Sequence, residues 1–277
     1  MICSASVMCA DLLHLEDDLK DLEAAGCDEL HFDIMDGTFV PNFTLGIDFV
    51  KAAVGACKLP CSAHLMVARP EDYIERFILA GCKSITIHVE SCIHAHAALM
   101  RIRKAGASPG IAINPATPLT KLDYLIDQAD RVMLMTVDPG YAGQRILPGA
   151  YDRVRILREV LSYRESRAKI EVDGNIDVHH AALLSKAGAE IFVLGSSSIF
   201  KGSDLGEALR AFHRRTPTRI APALLPARIR RIFRQTVEIR VVLRAEPADA
   251  PLAVIAVVDV GVDRPVETFA RDVAVAP

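Results

Sequence analysis

Short apolar runs alternate along this chain with stretches in which apolar residues recur every three or four positions. The runs predict β-strands over residues 2–8, 28–34, 60–66, 83–88, 109–113, 131–137, 169–173 and 190–195. The periodic stretches predict helices between them. Over 11–24, Leu12, Leu15, Leu19 and Leu22 form one stripe, and Asp11 is placed to cap the first turn. An Ala-Gly pair ends a helix and precedes a strand four times, at Ala25-Gly26, Ala80-Gly81, Ala105-Gly106 and Ala187-Gly188. Glycine there supplies the left-handed residue that turns the chain back toward a sheet, so the recurrence marks one repeated βα unit. Eight such units within residues 1–215 predict a single α/β domain, a (β/α)8 barrel, in preference to an open doubly wound sheet.

The rhythm stops near residue 216. From Pro217 to Pro277 there is no Lys, Asn, Ser, Cys or Met; residues 218–244 hold seven Arg against one acidic residue, and 245–277 hold six acidic residues against two Arg. Residues 216–277 are therefore read as a C-terminal extension rich in Arg, Ala, Val and Pro. Whether it packs on the barrel, stays partly disordered or derives from an altered reading frame is left open by composition. The apolar run 251–262 is short for a membrane span and carries Asp259. With 51% hydrophobic residues the chain can bury a large core, and a net charge of −3 argues against a general nucleic-acid binder. Its seven cysteines, all between Cys3 and Cys92, form no Cys-x-x-Cys pair and suit a reducing compartment. No secretory signal pattern opens the chain, and a cytoplasmic protein is expected.

Four residues stand at predicted strand ends. His31 and Asp33, in His-Phe-Asp-Ile-Met-Asp-Gly (31–37), are two apart on one strand and share a face; His64 ends the third strand and Asp173 the seventh. Any one alone reads best as a hydrogen-bonded structural residue. In a barrel, however, all four converge on the mouth, where active sites lie. Two imidazoles and two carboxylates suit one divalent ion, Zn²⁺, Mn²⁺, Fe²⁺ or Co²⁺, with positions left for substrate oxygens. Loops after the sixth, seventh and eighth strands carry Asp138-Pro-Gly140-Tyr141-Ala142-Gly143-Gln144, Gly174-Asn175 and Gly195-Ser196-Ser197-Ser198. Glycines there let backbone N–H groups approach a phosphate. Metal and phosphate together suggest a phosphorylated keto sugar. Asp33 and Asp173 on opposite faces of one carbon would remove and return its proton with inversion, which is epimerisation; one base on one face would give isomerisation instead.

These residues resemble the ribulose-phosphate 3-epimerase family over about residues 2–213. The likeness rests on Ser4-Ala5-Ser6, the 31–37 segment, Val40-Pro41-Asn42, His64-Leu65-Met66, Met135-Thr-Val-Asp-Pro-Gly140, Gly143-Gln144 and Val172-Asp173-Gly174. The resemblance implies a metal-dependent barrel that inverts C3 of ketose phosphates, with ribulose 5-phosphate and xylulose 5-phosphate as the type substrates. It implies His31, Asp33, His64 and Asp173 as metal ligands, and Asp33 and Asp173 as the acid/base pair. Ser6 and His64, Gly140 to Gly143, Gly174, Asn175, Gly195 and Ser196 would contact substrate or phosphate, and Met35, Met66 and Met135 would line the reacting centre. The expected partners are a small phosphorylated keto sugar and further copies of the chain in a homo-oligomer, with no nucleic acid and no membrane. Asp138, Ala142, Asn175 and Ser197 depart from the pentulose-phosphate pattern, and Asp138-Pro-Gly-Tyr-Ala-Gly143, together with Ser6-Val7-Met8-Cys9 and Arg69-Pro-Glu-Asp-Tyr-Ile74, looks closer to the allulose-6-phosphate 3-epimerase branch.

Three other activities compete with this reading. A related barrel decarboxylase needs Asp-x-Lys-x-x-Asp on the second strand, where this chain has no Lys; a Schiff-base aldolase needs Lys at a strand's C-terminal end, whereas Lys169 opens its strand. A phosphosugar-binding protein without catalysis remains the alternative of a different class. His88 ends the fourth strand and reads equally as a partner of the metal ligands or as a structural residue. His94, His96, His179 and His180 read as surface residues.

Overall fold

A computed structural model describes residues 1–202 and 204–216. Eight parallel strands, β1 (Ile2–Ser6), β2 (Glu29–Met35), β3 (Cys61–Met66), β4 (Ser84–His88), β5 (Ser108–Ile113), β6 (Arg131–Met135), β7 (Lys169–Asp173) and β8 (Ile191–Leu194), pair in sequence order. The sheet closes as β1 pairs with β8, which makes this a (β/α)8 barrel. Helices α1 (Leu15–Ala24), α2 (Ile47–Ala56), α3 (Ile74–Leu79), α4 (Ala95–Lys104), α5 (Ala150–Tyr163), α6 (Val178–Ala187) and α7 (Leu205–Arg215) follow the strands. The extension expected over 216–277 lies outside the described residues except for Thr216. Among the described residues no helix is long and apolar enough to cross a membrane.

Four expectations need correction. The connection from β5 to β6 holds no α-helix but two 3-10 turns, Leu119–Leu122 and Ile126–Gln128, because Pro115 and Pro118 lack the N–H a helix needs there. Helix α1 begins at Leu15 rather than 11, with His14 at its N-cap. Asp11 instead accepts from the Leu13 N–H at 3.0 Å and holds the preceding turn, so Leu12 stays 54% exposed, outside the buried stripe. Strands β1 and β6 stop at Ser6 and Met135 rather than 8 and 137, since Val7–Cys9 forms a 3-10 turn and residues past Met135 enter the loop.

Period-two alternation divides the strands' residues between two environments. Cys3, Ala5, Leu30, Phe32, Ala63, Leu65, Ile85, Ile87, Ile111, Val132, Ile170, Val172 and Phe192 join the apolar core beneath the helices. The other phase carries Ser4, Ser6, Glu29, His31, Asp33, Ser62, His64, Thr86, His88 and Glu171, all buried and polar. The outward phase thus drives folding by apolar burial, while the inward phase stores the chemistry.

Candidate active site

Strand register brings the donors together. Parallel pairing sets Asp33 beside His64 across β2 and β3, and Met135 beside Asp173 across β6 and β7. One donor atom from each of His31, Asp33, His64 and Asp173 lies within 4.8 Å of the others. His64 Nδ1 is 3.1 Å from Asp33 Oδ1 and 3.6 Å from Asp173 Oδ2, and His31 Nε2 is 3.3 Å from the same Asp33 oxygen. The second Asp33 oxygen accepts from the Ser6 hydroxyl at 2.7 Å, which fixes that carboxylate's rotation. Both imidazoles are fully buried, Asp33 is nearly so, and Asp173 keeps a partly exposed edge.

Burial opposes charge on every member of this cluster, and neighbours decide the outcome. For Asp33, His31 and then His64 outweigh burial and hold the carboxyl well below the usual range. For Asp173, burial and then the Asp33 charge act together and push it up to about 8. Burial works against a charged His31, but Asp33, Glu171 and Asp173 carry it to about 9; burial takes His64 down to about 4 despite its bond to Asp33. Neither His31 ring nitrogen makes a well-formed hydrogen bond, although both are sealed from water. A buried imidazole without a well-formed hydrogen bond, beside two carboxylates and a second imidazole, is the donor set that a divalent cation satisfies.

Two long-range supports surround the cluster. On one side His88 Nε2 lies 2.8 Å from His64 Nε2 with the rings stacked, and His88 Nδ1 lies 3.2 Å from Glu90 Oε2. Glu90 in turn accepts from the Asn114 N–H at 2.8 Å. His88 is therefore a partner of His64 as well as a packed residue. Below the cluster, Glu171 Oε1 is 3.8 Å from His31 Nδ1, and its other oxygen is 3.4 Å from Arg131 Nη1. Arg131 also meets both Glu29 oxygens, at 2.9 and 3.2 Å, and Ser4 donates to Glu29 at 2.8 Å. Sequence reasoning assigns no role to Glu90, Glu171, Arg131 or Glu29; only inward phase on a strand marks the last three.

Above the donors lies a cleft lined by Ser6, Asp33, Met35, Met66, Met135, Gly140, Tyr141, Ala142, Gly143, Asp173, Gly174, Asn175, Gly195 and Ser196. Every expected site residue except His31 and His64 reaches its wall; those two lie beneath it. Met8 and Cys9, to which no contact role was assigned, line it as well. Two bonds latch opposite loops over the mouth: Asn42 Nδ2 donates to Gly140 O at 2.8 Å, and Tyr141 Oη donates to Pro41 O at 2.5 Å. Asp36 secures the β2 side, its carboxylate accepting from the N–H groups of Thr38, Phe39 and Ala68 at 2.8, 3.0 and 2.9 Å. Past β7, Gly174 has φ +118°, and a Cβ there would meet Val137 Cγ2 at 2.6 Å. Asn175 takes the left-handed conformation at φ 53°, which asparagine tolerates better than most residues, and its Oδ1 accepts from Ser197 Oγ at 2.5 Å. His94 and His96 are exposed, and His180 Nδ1 pairs with Tyr151 Oη at 2.7 Å, apart from this chemistry. Lys169 is exposed at the start of β7, at the end opposite Asp173.

Comparison with known proteins shows the family to which the chain belongs. The chain is 35% identical over 205 residues to the ribulose-phosphate 3-epimerase of Bacillus subtilis, covering 74% of this chain and 94% of that one. It is 40% identical over 200 residues to the Rhodobacter capsulatus enzyme of the same name, covering 72% and 86%. Among solved structures, KGPDC from Streptococcus mutans superposes with a TM-score of 0.61 at 13% identity, over 77% of this chain and 96% of that one. A mutant tryptophan synthase α-subunit from Pyrococcus furiosus does so with a TM-score of 0.54 at 20% identity, over 78% and 95%; both likenesses concern the fold alone. The model of the Ribulose-phosphate 3 epimerase family matches residues 2–200, a span holding all four clustered donors and every cleft loop, and the chain belongs to that family of carbohydrate epimerases.

Proposed function

We propose that this enzyme interconverts the C3 epimers of a ketose phosphate, ribulose 5-phosphate and xylulose 5-phosphate, using Asp33 and Asp173 as its two proton-transfer groups. The observation that carries the reading is the convergence of these carboxylates with two imidazoles under a cleft walled by glycine loops. His31, Asp33, His64 and Asp173 would hold one divalent ion; His31, buried without a well-formed hydrogen bond, is the residue whose state calls for it. Such an ion supplies electrostatic stabilisation for the negative charge that develops on substrate oxygens as a C–H proton leaves.

The rest is the work of the side chains. Ser6 orients Asp33 through its 2.7 Å bond, so that carboxylate presents one fixed oxygen to the substrate carbon. Asp173, with its partly exposed edge, addresses that carbon from the cleft side, and removal on one face with return on the other inverts it. Met35, Met66 and Met135 exclude water from the charged intermediate, and the loops at Gly140–Gly143, Gly174–Asn175 and Gly195–Ser196 receive the phosphate.

A second substrate, allulose 6-phosphate converted to fructose 6-phosphate, is favoured by one observation: the Asn175–Ser197 bond places a side chain where the pentulose pattern has glycine. The test is steady-state epimerisation of D-ribulose 5-phosphate and D-allulose 6-phosphate, using chelator-treated protein with Zn²⁺, Mn²⁺, Fe²⁺ or Co²⁺ restored. The proposal expects metal-dependent turnover and its loss in Asp33→Asn and Asp173→Asn. Near-normal epimerisation by Asp173→Asn would refute the two-carboxylate mechanism, and turnover of neither sugar with any metal would leave a phosphosugar-binding protein.

A further inference from the structure

A second donor cluster lies outside the cleft. Cys3 sits in β1, Asp28 immediately before β2 and His213 in the last turn of α7. Among the described residues these three and the four beneath the cleft are the groups whose donor atoms all fall within 4.8 Å of one another. Cys3 Sγ is 3.1 Å from His213 Nε2, across 210 residues of sequence. One Asp28 oxygen accepts from the Cys3 N–H at 2.7 Å, which holds the carboxylate beside the thiol. Cys3 itself is 1% exposed, on the apolar side of β1, whereas Asp28 and His213 open to solvent.

We infer that Cys3, Asp28 and His213 form a second cation site, of zinc type, separate from the catalytic cluster. Thiolate, imidazole and carboxylate together select a borderline-soft divalent ion, and two exposed ligands give it a way in. Tetrahedral zinc, with bonds of about 2.0–2.3 Å, sets its donors about 3.4–3.6 Å apart. The cluster needs shifts of about 1 Å or less to meet that geometry, and three protein donors leave the fourth position to water. The geometry that carries the assignment is the convergence of a thiol, an imidazole and a carboxylate from β1, the segment before β2 and α7. The ion would pin the first strand to the last helix, where the ends of the barrel sequence meet.

Cobalt distinguishes this site from the catalytic one. The His31, Asp33, His64 and Asp173 set contains no sulfur, whereas cobalt on Cys3 gives a thiolate-to-metal charge-transfer band in the near ultraviolet. Titrating the full-length protein with Co²⁺ is expected to raise that band to saturation at one equivalent bound to Cys3, by two equivalents in all, since the four-donor cluster takes up the other without contributing to the band. The band should vanish in Cys3→Ser, weaken with at least tenfold lower cobalt affinity in His213→Ala, and persist in Asp173→Asn. His213 is exposed, so its truncation leaves the fold intact and the result readable. Absence of the band in the unaltered protein, or its survival in Cys3→Ser, would overturn the assignment without touching the epimerase reading.

Discussion

The charge layer under the four-donor cluster offers the sharpest quantitative test. Arg131 is 12% exposed and lies between Glu29, 9% exposed, and Glu171, fully buried, at 2.9 and 3.4 Å. Both carboxylates hold its guanidinium well above its ordinary pKa despite burial, so it stays charged at any accessible pH. Replacing it by methionine keeps most of the volume and leaves both carboxylates without their guanidinium partner, with His31 as the one cation near Glu171. Breaking a buried pair in this way costs about 3–5 kcal/mol, mostly the penalty of the stranded charge. For a barrel of this size that corresponds to a fall in Tm of about 6–20 °C. The triple variant Glu29→Gln/Arg131→Met/Glu171→Gln removes the stranded charges as well and should recover to within about 2 kcal/mol of the parent. Urea unfolding followed by circular dichroism, with thermal scans alongside, measures all three proteins. A loss below about 1 kcal/mol in Arg131→Met, or a triple variant no more stable than the single one, would refute the assignment of these charges as a mutually compensated buried set.

Three further outcomes are expected. Asp36→Asn turns one of the two acceptor oxygens, which between them receive three N–H groups, into an N–H facing an N–H, a loss of about 1–3 kcal/mol by urea unfolding at neutral pH. Burial opposes the Asp36 charge but the N–H groups of Ala68, Phe39 and Thr38 hold its pKa below the usual range. Its contribution is therefore complete above the unfolded carboxyl pKa of about 3.9 and fades as pH falls through the folded value, so the gap between parent and variant should close only in acid. Gly174→Ala puts a Cβ 2.6 Å from Val137 Cγ2 at a φ of +118°, and should cost more than about 1 kcal/mol in thermal unfolding together with a loss of kcat. Asn175→Gly removes the bond to Ser197 at a left-handed position glycine accepts freely; stability should change by less than about 1 kcal/mol while the ratio of kcat/KM for pentulose and hexulose phosphates moves.

What can be read from the sequence is local and periodic. Ala-Gly pairs mark the units because Gly26, Gly81, Gly106 and Gly188 all adopt positive φ, a requirement written at single positions. His31 and Asp33 are legible because two-residue spacing on a strand fixes a shared face, and His64 and Asp173 because barrel strands deliver their C-terminal residues to one mouth. The start of α1 is misplaced because Asp11 serves a turn rather than a helix, a choice between two short-range partners that propensity does not rank. The Arg131 layer is invisible for another reason: its partners lie 102 and 40 residues away and become neighbours only through strand order. His64 and His88, 24 residues apart, meet for the same reason.

The two bonds across the mouth bear on timing. Asn42 with Gly140 and Tyr141 with Pro41 join loops 98 and 100 residues apart, and both bonds sit where water can compete. At about 0.5–1.5 kcal/mol each, parting them costs about 1–3 kcal/mol, so the loops are separated for about 1–15% of the time. Closure is then the resting condition, and opening belongs to the microsecond-to-millisecond scale of loop motion. Any molecule that enters or leaves the cleft past these two loops does so within that open fraction.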